Sequence, residues 1–174
     1  VRIKIGWDWK QYNEIDAYLR QTRTNCKDIS AAWGHVRFIV ARAIERNFEL
    51  EGRPFQWRAL NPSYRAKKVR EGYPDRILVR SGDMMRAVTV VGSKGNVHRQ
   101  GRMTFEWGVD LSVIPYARIH DLGGVTGKGG RTRIPQREYL RLMEEDVTEI
   151  MTAIHNVVMG YPAEKKMAAE WRYV

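Results

Sequence analysis

The stretch from residue 29 to residue 48 constrains this chain more than any other. Ile29, Trp33, Val36, Val40, Ile44 and Phe48 step by four, three, four, four and four. An α-helix places such a series on one face, because each residue advances by about 100°. The spacing predicts a helix from about Ile29 to Phe48 whose apolar stripe the rest of the chain must cover. Asp28, in the break "TNCKDIS", is the expected N-cap. Gly34 costs about 1 kcal/mol against alanine inside a helix, so a close contact is expected there. His35 lies beside the stripe and reads as a structural side chain.

Other elements follow by the same reasoning. Residues 8 to 24 read as a helix with Tyr12, Ile15, Tyr18 and Leu19 on one face. The segment "ELEGRPFQWRALNPSY" is punctuated by Gly52, Pro54 and Pro62, and is expected to pack Phe55, Trp57 and Leu60 onto the core. Asn61 or Ser63 can cap a short helix, "PSYRAKKVREG", which Gly72 and Pro74 terminate. Ile77 to Val79 form a short extended piece, and Ser81 caps a helical turn through Met85 and Arg86. Val88 to Val91 and "RMTFEWGVD" read as two strands of an antiparallel hairpin, with "GSKGN" a turn between them. Val147, Ile150, Met151, Ile154 and Val158 stripe a last helix, whose first turn holds Glu144, Glu145 and Asp146 where the helix dipole favours acids. The tail "AEKKMAAEWRYV" carries Met167, Trp171 and Tyr173, which are costly to expose and mark a candidate contact between subunits. The chain is expected to form one domain over residues 1–160, followed by this tail. Its fold class is α+β, with long helices on a small, mainly antiparallel sheet.

Charge narrows the partners. The 174 residues carry a net charge of +10. Between Gly52 and Arg102 there are 12 Lys and Arg against three acids, a balance of +9. Nearly all the surplus lies in that middle third and points to a polyanionic neighbour. The helix over 62–71, with Arg65, Lys67, Lys68 and Arg70, is the most basic in the chain. Lys94, Lys128 and Arg131 extend the candidate contacts with a partner or a DNA backbone. No run of about 18 apolar residues exists, so no membrane span is expected. "VRIKIGWDWKQ" lacks the apolar region of a signal peptide, and Val1 reads as following an omitted initiator Met. Cys26 is the only cysteine. It excludes an internal disulfide and any multi-cysteine metal site, and synthesis in the cytosol is the default.

The stretch "PYARIHDLGGVTGKGGRTRIPQREYL" invites a catalytic or phosphate-binding reading. A phosphate-binding loop of the G-x-x-x-x-G-K-[ST] type fails at both ends, because Gly129 follows Lys128 and Leu122 stands five residues before Gly127. His120 and Asp121 are adjacent, so on a helix they point about 100° apart, with no nucleophile nearby in sequence. Glu106 and Asp110 share a strand face about 13 Å apart, too far for paired metals at about 4 Å. The histidines at 35, 98, 120 and 155 have no ligand spacing. No catalytic residue, metal site or cofactor is expected. "VTGKGGRT" reads as an unstructured basic arm, and "RIPQREYL" as a strand returning the chain to the core.

Four motifs in order carry a resemblance. Trp57, Leu60, Tyr64 and Lys67 form the first; Ile77, Leu78, Ser81, Gly82 and Met84 or Met85 the second. Tyr116, Ala117, Ile119, His120, Gly123 and Gly124 form the third; Ile134, Pro135, Arg137, Tyr139 and Leu140 the fourth. Over about residues 28 to 159 the chain resembles the phage virion morphogenesis family, the tail-completion proteins of Mu-like and related contractile-tailed phages. The resemblance implies an α+β domain in which Tyr116 and Ile119 anchor a short helix that Gly123 and Gly124 end. It also implies a non-enzymatic virion protein at the neck, assembled in the host cytoplasm. Such a protein forms a ring, commonly sixfold, that completes the tail and joins it to the head. Its partners are further copies of itself, the tail tube, the head connector and the DNA in the lumen. The runner-up is a non-specific nucleic-acid-binding module that grips phosphates with the 62–71 helix; a hydrolase built on His120 comes third.

Overall fold

The computed structural model describes residues 9–161. Six helices run in chain order: α1 Trp9–Asn25, α2 Trp33–Glu49, α3 Pro62–Arg70, α4 Asp83–Thr89, α5 Ala117–Leu122 and α6 Glu144–Val158. Two antiparallel hairpins complete the α+β fold: β1 Asn96–Gln100 with β2 Phe105–Val109, and β3 Gly124–Thr126 with β4 Thr132–Ile134. The expected sheet is thus two separate two-stranded pieces.

Helix α2 is the spine. All six residues of its expected stripe are buried, joined by Ile39 and Ala43. The helix starts at Trp33 rather than Ile29, and Asp28 does not cap it: Asp28 accepts from Ser30 N at 3.0 Å ahead of a short 3-10 turn, Ser30–Ala32, that leads into α2. Helices α4 and α6 both pack on this spine, and the first hairpin packs on α4. The buried indole of Trp33 and the half-buried one of Trp107 both find acceptors, as half-apolar, half-polar rings do. Trp33 donates to Gly101 O at 2.6 Å and Trp107 to Val88 O at 2.9 Å.

Several expectations need correction. Val88 and Thr89 belong to α4, not to a strand. Met84, Ala87 and Val88 are its buried residues, an i, i+3, i+4 set that the β-branched run "VTVV" obscured. The hairpin's first strand is instead the polar "NVHRQ", bonded on one side only, with His98 opposite Trp107. An edge strand needs no strict apolar alternation. The second strand starts at Phe105, leaving Met103 exposed in the connection. Gly34 makes no close contact; a Cβ there would meet open space. Phe55 is 83% exposed, and of Phe55 and Trp57 it is Trp57 that turns inward, its ring edge-on to Phe48 at 5.8 Å. On α6, Val147 and Met151 face outward, and the buried residues are Asp146 and Ala153. On α1, Tyr12, Ile15, Tyr18 and Leu19 are all exposed. That helix meets the end of α6, where Asn25 Nδ2 donates to Val157 O and Val158 O, both at 3.1 Å, and Tyr18 O–H donates to Met159 Sδ at 3.6 Å. The tail residues Met167, Trp171 and Tyr173 lie outside the described residues.

A buried polar node ties three segments together. Arg53 donates to Asn47 Oδ1 at 2.7 Å, to Ala43 O at 2.9 Å and to Asp146 Oδ2 at 2.9 Å. Asn47 in turn donates to Tyr139 O and Arg141 O. Asp146 also accepts from Met143 N at 2.9 Å, the reach-back of an N3 acid that starts a helix. Every member sits in the core, so the charges hold only because they are paired.

A cationic groove as candidate functional site

An open groove of about 1510 Å³ runs between the 58–62 segment, α3, the 78–84 segment, α5 and β4. Sequence-distant pieces meet there. Leu60, Tyr64, Leu78, Gly82, Tyr116, His120, Pro135 and Arg137 all line it. These eight are drawn from all four sequence motifs. Four further motif residues sit behind. Trp57 and Leu140 pack against the core, and Gly123 and Gly124 form the turn after α5. Gly123 has φ 72°, and a Cβ would stand 2.8 Å from Gln136 N. The turn therefore requires glycine to bring the fourth motif against the third.

Local bonds hold the walls. Asn61 caps α3, accepting from Ser63 N at 3.0 Å and Tyr64 N at 3.4 Å. Ser81 Oγ accepts from Asp83 N at 3.4 Å ahead of α4. Helix α5 is anchored by Ala117, which is fully buried, rather than by Tyr116, which is 45% exposed. Tyr139 is buried against Phe48 and donates to Ala117 O at 3.3 Å. Burial, with Asp121 near, pushes its phenol well above the ordinary value. The "VTGKGG" stretch is a hairpin with a glycine-rich tip rather than an unstructured arm. Of "RIPQREYL", only the residues of β4 are strand; the rest is irregular chain bonded by Arg137 N to His120 O at 2.9 Å.

Electrostatics distinguish the groove from an ordinary depression. Arg137 is 5% exposed and donates to Arg58 O at 2.9 Å, yet its Nε has no partner. Burial, then the neighbouring Arg58, lowers its pKa. His120 Nδ1 is also buried without a partner, and the edge of Tyr116 lies 6.1 Å from its ring. Burial, followed by Arg137, lowers the His120 pKa and favours neutral imidazole. Burial raises Tyr116, with Asp83 adding to the shift. Arg58 and Arg133 stand exposed on the rim; neither was singled out in the sequence, although each flanks a motif residue.

The cations of α3 are mostly engaged. Arg65 grips Asp75 through both nitrogens, at 2.7 and 2.6 Å. Lys67 pairs with Glu71 at 3.8 Å. Lys68 is buried and donates to Arg76 O at 2.5 Å, with its pKa lowered by burial. Arg70 is exposed, as are Lys94 and Arg131. The Lys128 side chain falls outside the described atoms.

Residues 10–159 match the phage virion morphogenesis family. The chain belongs to the phage virion morphogenesis family. It is 33% identical over 114 residues to a protein of Haemophilus influenzae described as Mu-like prophage FluMu G protein 2. That alignment covers 66% of this chain and 67% of the relative. No solved structure matches. A member of this family has a structural role in the phage virion. Among the described residues, no helix is long and apolar enough to cross a membrane.

Proposed function

We propose that this protein completes the phage tail at its head-proximal end and joins it to the head, as a ring around the DNA path, with six subunits the expected number. The observation that carries the reading is the convergence of all four family motifs, through eight of their residues, on one cationic, apolar-floored groove. In a virion-assembly protein, such a surface is a seat for another protein. The tail tube, the head connector and further copies of the chain are its partners, and the genome passes through the lumen without sequence readout. The test is direct. Purified protein is mixed with tail tubes lacking it and imaged by negative stain. The expected result is a ring of density capping one end of each tube. Protein that leaves both ends bare, at concentrations well above those in a lysate, would refute the reading.

A further inference from the structure

We infer that the groove receives the outward face of α6 from a second copy of this chain. This rests on the ring proposed above and names the two surfaces that join its subunits. The groove has an unmet requirement. Arg137 lies at its floor, nine-tenths buried, with an unpartnered Nε and no acid paired to it among the described residues. Arg58 and Arg133 on the rim likewise have no acidic partner among the described residues. A buried guanidinium without a carboxylate is costly, and a carboxylate delivered from outside offsets that cost. The floor between these cations is apolar, built from Leu60, Leu78 and Ile134. A phosphate backbone supplies charge but nothing to cover those carbons. The fitting occupant carries acids and aliphatic side chains together.

The outward face of α6 is such an occupant. Glu144 lies in its first turn, and Val147 and Met151 follow on the same side, 46% and 60% exposed, while Glu145 sits about 100° round the helix from Glu144. The spacing of 144, 147 and 151 places one acid and two apolar groups in a row along the helix. Glu144 has no ion-pair partner among the described residues. The side chain of Glu145 remains 62% exposed while 3.6 Å from Arg53. Glu144 to Asp146 is the one run of three acids in a chain of net charge +10. Copies of so basic a protein repel one another unless their acids meet their cations. The two patches differ, so the contact is heterologous. It continues from copy to copy until the rotation closes a ring.

Charge reversal tests this with the full chain. One variant carries Arg58→Glu and Arg133→Glu; a second carries Glu144→Arg and Glu145→Arg; a third carries all four. Oligomerisation is followed by sedimentation velocity against concentration, with circular dichroism as the folding control. The first two variants are expected to associate at least about tenfold more weakly than wild type. Their mixture is expected to assemble with the two variants alternating, because one contact keeps the wild-type charges and the next carries both charges reversed. The third variant is expected to regain the wild-type assembly. Wild-type assembly by either two-site variant overturns the inference but leaves the ring standing. So do two folded variants that neither pair in the mixture nor recover in the fourfold exchange. A wild type that stays monomeric, alone and with tail tubes, overturns both.

Discussion

At the scale of single residues, the Arg53 node is the costliest place to intervene. Replacing Arg53 with Met leaves Asp146 charged, buried and unpaired, so unfolding in urea is expected to show a loss of about 3–5 kcal/mol. Adding Asp146→Leu removes the stranded charge, and the double variant is expected to be more stable than Arg53→Met alone. Equal or lower stability in the double variant would mean that packing, not the ion pair, sets the cost. His120 offers a second test. Burial and Arg137 hold its pKa down in the folded chain, so the unfolded chain takes up the proton first as pH falls. The stability it confers is present above the ordinary histidine value and is lost as pH drops through the folded one. Melting temperature is therefore expected to fall between about pH 7.5 and about pH 5, and the fall is expected to be shallower in His120→Gln.

At the scale of elements, Gly34 and the second hairpin separate fold from function. Gly34 is exposed inside α2 with open space at its Cβ position, so Gly34→Ala is expected to raise stability by about 0.5–1 kcal/mol. By contrast Gly123→Ala is expected to lower it by about 1–3 kcal/mol, since φ is positive and a neighbouring backbone nitrogen stands in the way. Residues of β3 are wholly exposed. Deleting Gly124 to Gly130 is expected to leave a folded chain, by circular dichroism, that joins heads to tails poorly in a complementation assay. Infectious particles at wild-type yield would make the hairpin a mere connector. These elements also show what sequence could reveal. The α2 stripe was legible because its period is unbroken and every member is buried. The Asn61 cap was legible because its partners are local. Strand β1 was not, since its mostly polar residues gain their pairing from β2 and only partial cover from α4. The buried face of α6 was read in part: Ile150, Ile154 and Val158 pack on the core, whereas Val147 and Met151 face outward and Asp146 takes a core position that an apolar pattern cannot anticipate. The groove was half visible: its motif residues stood out individually, but their meeting depends on contacts across as many as 79 positions, as between Arg58 and Arg137.

At the scale of the whole molecule, a net charge of +10 is a poor guide to how many cations are free. Arg65 and Lys67 answer acids within the chain, and Lys68 is buried, so α3 has Arg70 left to meet a phosphate. Changing Arg65, Lys67 and Arg70 to Gln is expected to make the logarithmic salt slope of duplex DNA binding shallower by about 1, the value for roughly one phosphate. A change of about 3 would restore the nucleic-acid reading and put DNA, rather than a protein, on α3. The Arg53 node bears on the molecule's outer shape as well as its stability. Because Asp146 must point inward, the angular setting of α6 is fixed, and with it the direction in which Glu144, Val147 and Met151 project. One residue inserted in α6 directly after Asp146 would turn Val147 and Met151 by about 100° relative to that carboxylate. Either Asp146 would lose Arg53, or those two side chains would leave their present face. The buried carboxylate is thus an index mark, holding a surface it never touches to a single bearing.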